Sequence, residues 1–257
     1  MKKIFCLFSL LIYFFIPRAV AQDQKDYFGI KGGISIPNLR AKGAEQNPLN
    51  TGYNSRLGPD FAVFYEKGIS QTFSFMPSLE FSSQGGKKDG FQAFATPDEF
   101  TAAFPPGNVP PYLYANYNSE AKMNYLMLVA LAKFTWPLGA KSPCSIYLDA
   151  GPFGALLLSA HQVTSGSSII YADEGMQQPL TQSEQSFDNK LDIKDELHEG
   201  NFGVEGDLGV ALTVKSGKLF LEGGANYGFL NIQKGTENGK NQVGAATVRI
   251  GYAYALR

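Results

Sequence analysis

The sequence predicts an all-β protein: an eight-stranded antiparallel up-and-down transmembrane β-barrel with long extracellular loops and short periplasmic turns. Three observations carry that expectation. Apolar and polar residues alternate with period two along many short segments, as they must where successive side chains point to opposite faces of a sheet. The connections between these segments alternate between long and short. The composition holds 28 Gly, 20 Phe and 13 Tyr against 2 His, a balance suited to many short strands.

The elements follow in chain order. Lys2 and Lys3 precede an apolar run at 4–16 and an Ala19-Val20-Ala21 cleavage pattern. These read as a secretory signal peptide over 1–21, leaving a barrel domain at 22–257. Cys6 lies inside the apolar run and is a poor lipoprotein acceptor. Once it is removed, Cys144 is the only cysteine, so neither an intramolecular disulfide nor a cysteine zinc site can form. No later segment supplies the roughly 18 uninterrupted apolar residues of a transmembrane helix; 123–136 is too short and carries Lys133. A net charge of −1 offers no basic field for nucleic acid.

Eight strands are predicted, at 27–36, 59–66, 72–83, 122–136, 145–160, 200–214, 218–232 and 243–256. The connections at 37–58, 84–121 and 161–199 are long and polar, and that at 233–242 is moderate. Those at 67–71, 137–144 and 215–217 are short. Long loops on every second connection fit a barrel with loops outside and turns in the periplasm. An even strand number then places both termini on the periplasmic side.

Parity sorts the side chains. Phe28, Ile30 and Ile34 share one face of the first strand, with Lys31 on the other. Phe61, Val63 and Tyr65 oppose Asp60 and Glu66; Phe73, Phe75, Leu79 and Phe81 oppose Glu80. Asn124 and Lys133 are assigned to the polar face of the fourth strand, and Asp149 to that of the fifth. Phe202, Val204, Leu208, Val210 and Leu212 oppose Glu205 and Asp207. Leu219 and Leu221 oppose Glu222, and Val248, Ile250 and Tyr252 oppose Arg249. Lys122 and Lys218, at strand edges, are read as exceptions. The polar face thus gathers Lys31, Lys133 and Arg249 with Asp60, Glu66, Glu80, Asp149, Glu205, Asp207 and Glu222, a structural charge network for a narrow lumen. Alternation alone fits a soluble barrel turned the other way; the loop rhythm and the aromatic residues favour lipid on the apolar side. Tyr65, Phe73, Trp136, Tyr147, Tyr252 and Tyr254 are expected to form an aromatic girdle near the periplasmic turns.

The segments "YFGIKGGISIPNL", "FSFMPSLEFSSQGGK", "MNYLMLVALAKF" and "YLDAGPFGALLLSA" resemble the PorT-like outer-membrane β-barrel family of Bacteroidetes-type envelopes. The resemblance is weakest in the long loops and at the ending "RIGYAYALR", which closes on Arg257 rather than an aromatic residue. It implies an eight-stranded outer-membrane barrel but no single function; the founding member is tied to a secretion system.

Chemistry is sparse. There is no G-x-S-x-G and no H-E-x-x-H. "GVEGDLG" lies within a strand and lacks dinucleotide-binding spacing. "DNKLDIKDELHEG" lacks the turn glycine of an EF-hand. Glu205 and Asp207 share a face, as a glycosidase pair would, but basic residues in the same lumen make them salt-bridge partners. His161 and His198 flank the longest loop, near Glu196 and Glu199, and are the candidates for a zinc or copper site if the flanking strands bring them together. Two loop histidines are more often simply exposed.

The expectation is a monomeric, non-enzymatic outer-membrane protein with a structural or loop-mediated binding role and no cofactor. Its partners are outer-membrane lipid, the barrel-assembly machinery during insertion and, as a further candidate, another envelope protein. The alternatives are a component of a protein secretion or envelope assembly system, and a lipid-modifying enzyme using the barrel mouth.

Overall fold

The computed structural model describes residues 25–41, 47–235 and 239–256; the signal peptide expected at 1–21 lies outside them. Eight long strands form β1 (Tyr27–Ala41), β2 (Gly58–Gly68), β3 (Phe73–Ala95), β4 (Tyr112–Pro137), β5 (Cys144–Ser165), β6 (Gly200–Val214), β7 (Gly217–Gly228) and β8 (Asn241–Ala255). Each pairs antiparallel with the next. β8 returns to β1 from Tyr27↔Ala255 to Ala41↔Asn241, so the ring closes. Closure pairs the backbone groups that an open sheet would expose at its edges.

The two faces of the ring settle its surroundings. Leu208 is 62% exposed and Ile250 65%, and Phe28, Ile30, Phe61, Leu79, Leu128 and Leu221 are exposed with them. Arg249, Asp60, Glu80, Glu205 and Asp207 are buried inside. A broad apolar belt around a charged interior is stable where the belt meets hydrocarbon, not water. Among the described residues no helix is long and apolar enough to cross a membrane; this chain crosses with strands.

Short turns at 69–72, 138–143 and 215–216 lie at one end of the ring. At the other end β3 and β4 run far past the bilayer. They pair from Phe73↔Phe134 to Ala95↔Tyr112, over strands of 23 and 26 residues, where roughly 9–11 suffice to span. The sequence reading placed 84–121 in a loop because the lipid-facing apolar alternation stops there. One face of the extension, with Leu113, Ala115 and Tyr117, packs inward, and the other carries Phe91 stacked on Tyr114 and covered by Tyr171 instead of a lipid-facing belt.

The outer segments pack on this hairpin. Asn189–Asp192 adds to β5, and Ser167–Ser168 pairs with Gln185–Ser186. Phe187 stacks on Tyr117 at 4.5 Å between ring centroids, and Phe94 meets both rings edge-on. Lys88 Nζ donates to the carbonyl oxygens of Pro48 and Leu49, at 2.9 and 2.8 Å, over the Tyr53 ring. Burial pushes its ammonium down to about 8.

Inside, four glycines lie directly across from aromatic rings: Gly29 from Phe64, Gly203 from Phe153, Gly209 from Tyr147 and Gly251 from Phe220. At Gly209 and Gly251 the facing ring occupies the space a Cβ would need. The missing side chain lets a large ring lie flat across a neighbouring strand in a narrow lumen.

Three parity assignments are corrected. Tyr147 is not in the girdle; it is fully buried, on the same face as Asp149. Lys218 points inward with Glu222, where its ammonium lies 3.3 Å from Glu66. Asn124 faces outward with Leu126, and its amide donates to Ser159 Oγ at 3.0 Å. β4 is apolar on its inner face too, through Met123, Tyr125, Met127, Val129 and Leu131.

Candidate functional site

The lumen is organised around one guanidinium. β8 presents Arg249 inward, opposite Gly33 of β1 and Glu222 of β7. Its Nε donates to Asp60 Oδ1 on β2 at 2.6 Å, and Nη2 to Glu80 Oε1 on β3 at 2.7 Å. Nη1 reaches Glu205 on β6 at 2.9 Å, Asp207 at 3.4 Å and Glu222 at 3.5 Å. One side chain thus ties strands on opposite walls, a task suited to the planar fork of arginine. Lys31, from β1, adds a bond to Glu222 at 2.8 Å and lies 3.9 Å from Asp207.

A second layer sits near the periplasmic turns. Glu66 takes Lys133 at 3.0 Å and Lys218 at 3.3 Å. Tyr147 joins the layers: Lys133 lies 4.0 Å above its ring, and its hydroxyl donates to Glu222 Oε2 at 2.8 Å. The residues Lys31, Glu66, Glu80, Lys133, Asp149, Glu205, Asp207, Glu222 and Arg249 are therefore all brought together inside the ring. Lys218 and Tyr147 were missed, although Lys218 has the same parity as Glu222, and Tyr147 that of Asp149.

Towards the outside the lumen turns apolar, and above it opens a cavity of about 250 Å³. Leu39, Met123, Leu197 and Ile232 line it with Gln92 and Gln162. Its residues come from β1, β3, β4, β5 and the start of β8 and from the segments before β2, β6 and β8. Nothing in the strand alternation announced this cavity, because several of its walls are loop residues.

The two histidines do not meet. β5 and β6 pair only as far as Leu156↔Gly200. Beyond that, the register of β4 against β5 shifts next to Asn124, a β-bulge. His161 then lies opposite Lys122 on one side and Asp192 on the other. His198 is exposed, and its backbone N–H donates to Ile232 O at 2.8 Å. Among the described residues the group of three or more potential metal ligands is Asp149, Asp207 and Glu222, not the histidines.

The match to a family model agrees with this architecture. Among proteins of curated function, none shows significant sequence similarity to the chain. Similar solved structures include Ail, the attachment invasion locus protein of Yersinia pestis, at 10% identity over 91% of this chain and 100% of that one, with a TM-score of 0.37. OprG from Pseudomonas aeruginosa is 9% identical over 91% and 98% of the two chains, with a TM-score of 0.37. Neisserial surface protein A is 11% identical over 88% and 96%, with a TM-score of 0.36. The profile of the family described as outer membrane protein beta-barrel domain matches residues 20–234. With its closed ring, apolar belt and charged lumen, the chain belongs to that family and resides in the outer membrane.

Proposed function

We propose that the protein is a monomeric, non-enzymatic barrel that binds a small amphipathic molecule at its extracellular mouth, with the lumen charge network serving as structural support. The observation that carries this reading is the outer cavity of about 250 Å³, walled in part by the packed outer segments and floored by a filled lumen. Its walls mix apolar residues with amides, the Lys88 ammonium and the Glu196 carboxylate, and apolar walls with a few placed polar groups are the usual lining of a small-molecule site. A filled barrel beneath favours holding a molecule over passing it. His161 and His198, on which an enzyme at the mouth would draw, are held by different neighbours, which favours binding over chemistry.

The PorT-like resemblance is our finer reading of the subfamily. It carries a second reading, a part in protein secretion or envelope assembly. The packed outer hairpin, with Phe94, Tyr117 and Phe187 locking the returning segment, favours it as a firm surface for a protein partner.

Native mass spectrometry of barrels extracted from envelopes in mild detergent tests the proposal. A co-purifying small mass is expected, and Met123→Trp, which fills the cavity, should remove it without altering heat-modifiable migration. A stoichiometric protein partner would support the second reading. Neither mass, with the variant indistinguishable from wild type, would overturn both.

A further inference from the structure

The charge network leaves the lumen acidic. Asp60, Glu80, Asp149, Glu205, Asp207 and Glu222 face two cations, Arg249 and Lys31, an excess of four negative charges. Below them, Glu66 between Lys133 and Lys218 returns only one positive charge. Unbalanced charge in a buried space is costly unless an opposite charge or a proton neutralises it.

The deficit is concentrated. Arg249 holds Asp60, Glu80 and Glu205 within 2.9 Å but Asp207 only at 3.4 Å. Asp149 is 1% exposed, and neither of its carboxylate oxygens has a hydrogen-bond partner. Lys133, opposite it on β4, turns to Glu66 instead; opposite it on β6 stands Asp207, another acid. Like charges directly across a ladder repel. One oxygen each from Asp149, Asp207 and Glu222 lie within 4.8 Å of one another.

We propose that Asp149, Asp207 and Glu222 hold one hard divalent cation, calcium by preference, inside the lumen. The donors are all carboxylate oxygens, the ligands of hard cations. Three oxygens within 4.8 Å of one another all lie within about 2.8 Å of one point, so a small inward shift brings them to calcium–oxygen lengths of roughly 2.3–2.6 Å. Three different strands supply them, an irregular set that suits calcium better than the strict octahedron of magnesium. Lys31 and Arg249 stand beside the site and oppose a further cation, and the excess of four carboxylates outweighs them. The Tyr147 hydroxyl donates to Glu222 Oε2 at 2.8 Å and Lys31 to Oε1 at 2.8 Å, so both fix this carboxylate in place and an ion would share it with them. This site is independent of any binding at the mouth.

Terbium(III) is the probe: it takes calcium's oxygen ligands and luminesces when a nearby aromatic ring is excited. The full chain refolded into detergent with terbium present is expected to retain one terbium ion, with emission sensitised through Tyr147 and suppressed when calcium competes during refolding. Asp149→Asn keeps the side chain's shape and breaks no hydrogen bond. It should weaken terbium binding by at least about tenfold and leave heat-modifiable migration unchanged. Equal binding by variant and wild type would overturn the proposal. So would a wild-type barrel that gives no sensitised emission and retains no calcium after gel filtration, leaving protons to balance the acids. A second readout needs no variant. The unfolding midpoint of the wild type should be higher in calcium than in a chelator, because a ligand of the folded state alone stabilises it; identical midpoints would equally sink the idea.

Discussion

Arg249 shows how much one residue can hold in a narrow barrel. Its three nitrogens reach carboxylates on β2, β3, β6 and β7, and it is 1% exposed. Removing it leaves buried acids facing each other without their common partner. Arg249→Leu should therefore destabilise the barrel by about 3–5 kcal/mol, the range for breaking one side of a buried ion pair. Urea unfolding in micelles, followed through the single tryptophan, Trp136, measures this; a loss below about 1 kcal/mol, the size of an ordinary substitution, would contradict the assignment. Arg249→Lys should fall between the two, since a point charge cannot serve both walls. At the periplasmic rim the electrostatics are exposed and smaller. Asp26 accepts from Lys67 at 2.8 Å and from the Tyr65 hydroxyl at 2.5 Å. Lys67 first, then Tyr65, holds its carboxyl below the usual value. A depressed carboxyl contributes above its unfolded value and loses that contribution as pH falls through the folded one. The Asp26 titration midpoint, followed by NMR in micelles, should rise in Lys67→Met; an unchanged midpoint would remove Lys67 as the cause.

At the scale of the strand, β6 offers the sharpest test of orientation. Leu208 and Val210 are exposed on the outer wall, and Glu205 and Asp207 are buried within. An arginine at 208 or 210 should cost roughly 2–4 kcal/mol if the position lies near the bilayer midplane. On a Cys144→Ser background, a lipid-soluble thiol probe should label cysteine at 208 and 210 and miss it at 205 and 207. The reverse pattern would mean an apolar core and a soluble barrel. β6 was fully legible because lipid on one face and charge on the other force strict alternation. Where that contrast fades, so did the reading. β4 has Met123, Met127 and Leu131 inside and Leu126 and Leu128 outside, so both its faces look apolar, and Asn124 was put on the inner face for its polarity although it shares the parity of Leu126. The outer halves of β3 and β4 leave the bilayer, and their pairing was invisible without an apolar belt. The bulge beside Asn124 shifts the register of β5 ahead of His161, and no alternation rule foresees such a shift. The site was legible as a set of inward charges. Its hub was not, because which acids a single arginine can reach depends on how the ring closes, a relation between strands far apart in sequence.

Across the whole molecule these layers bear on transport. Eight strands enclose a space that side chains can fill. Here Arg249 and its carboxylates cross the ring from β2 and β3 to β6 and β7. Towards the outside, Tyr125, Met127 and Phe153 form a second, largely apolar barrier, beside which the Gln84 amide donates to Asn226 Oδ1 at 3.3 Å. An ion entering from the mouth would lose its hydration among apolar side chains and then meet an ion-pair network that cannot part without stranding buried charge. Planar-bilayer recordings of the folded protein should therefore show no steady conductance steps. Arg249→Ala should also stay closed, despite its lower stability, because the apolar barrier does not depend on the arginine. Opening should require a second change above the network, and Arg249→Ala combined with Tyr125→Ala is the pair that removes one side chain from each barrier. Regular ohmic steps from the wild type would show that the side chains part more readily than their packing implies, and the barrel would then have to be regarded as a pore.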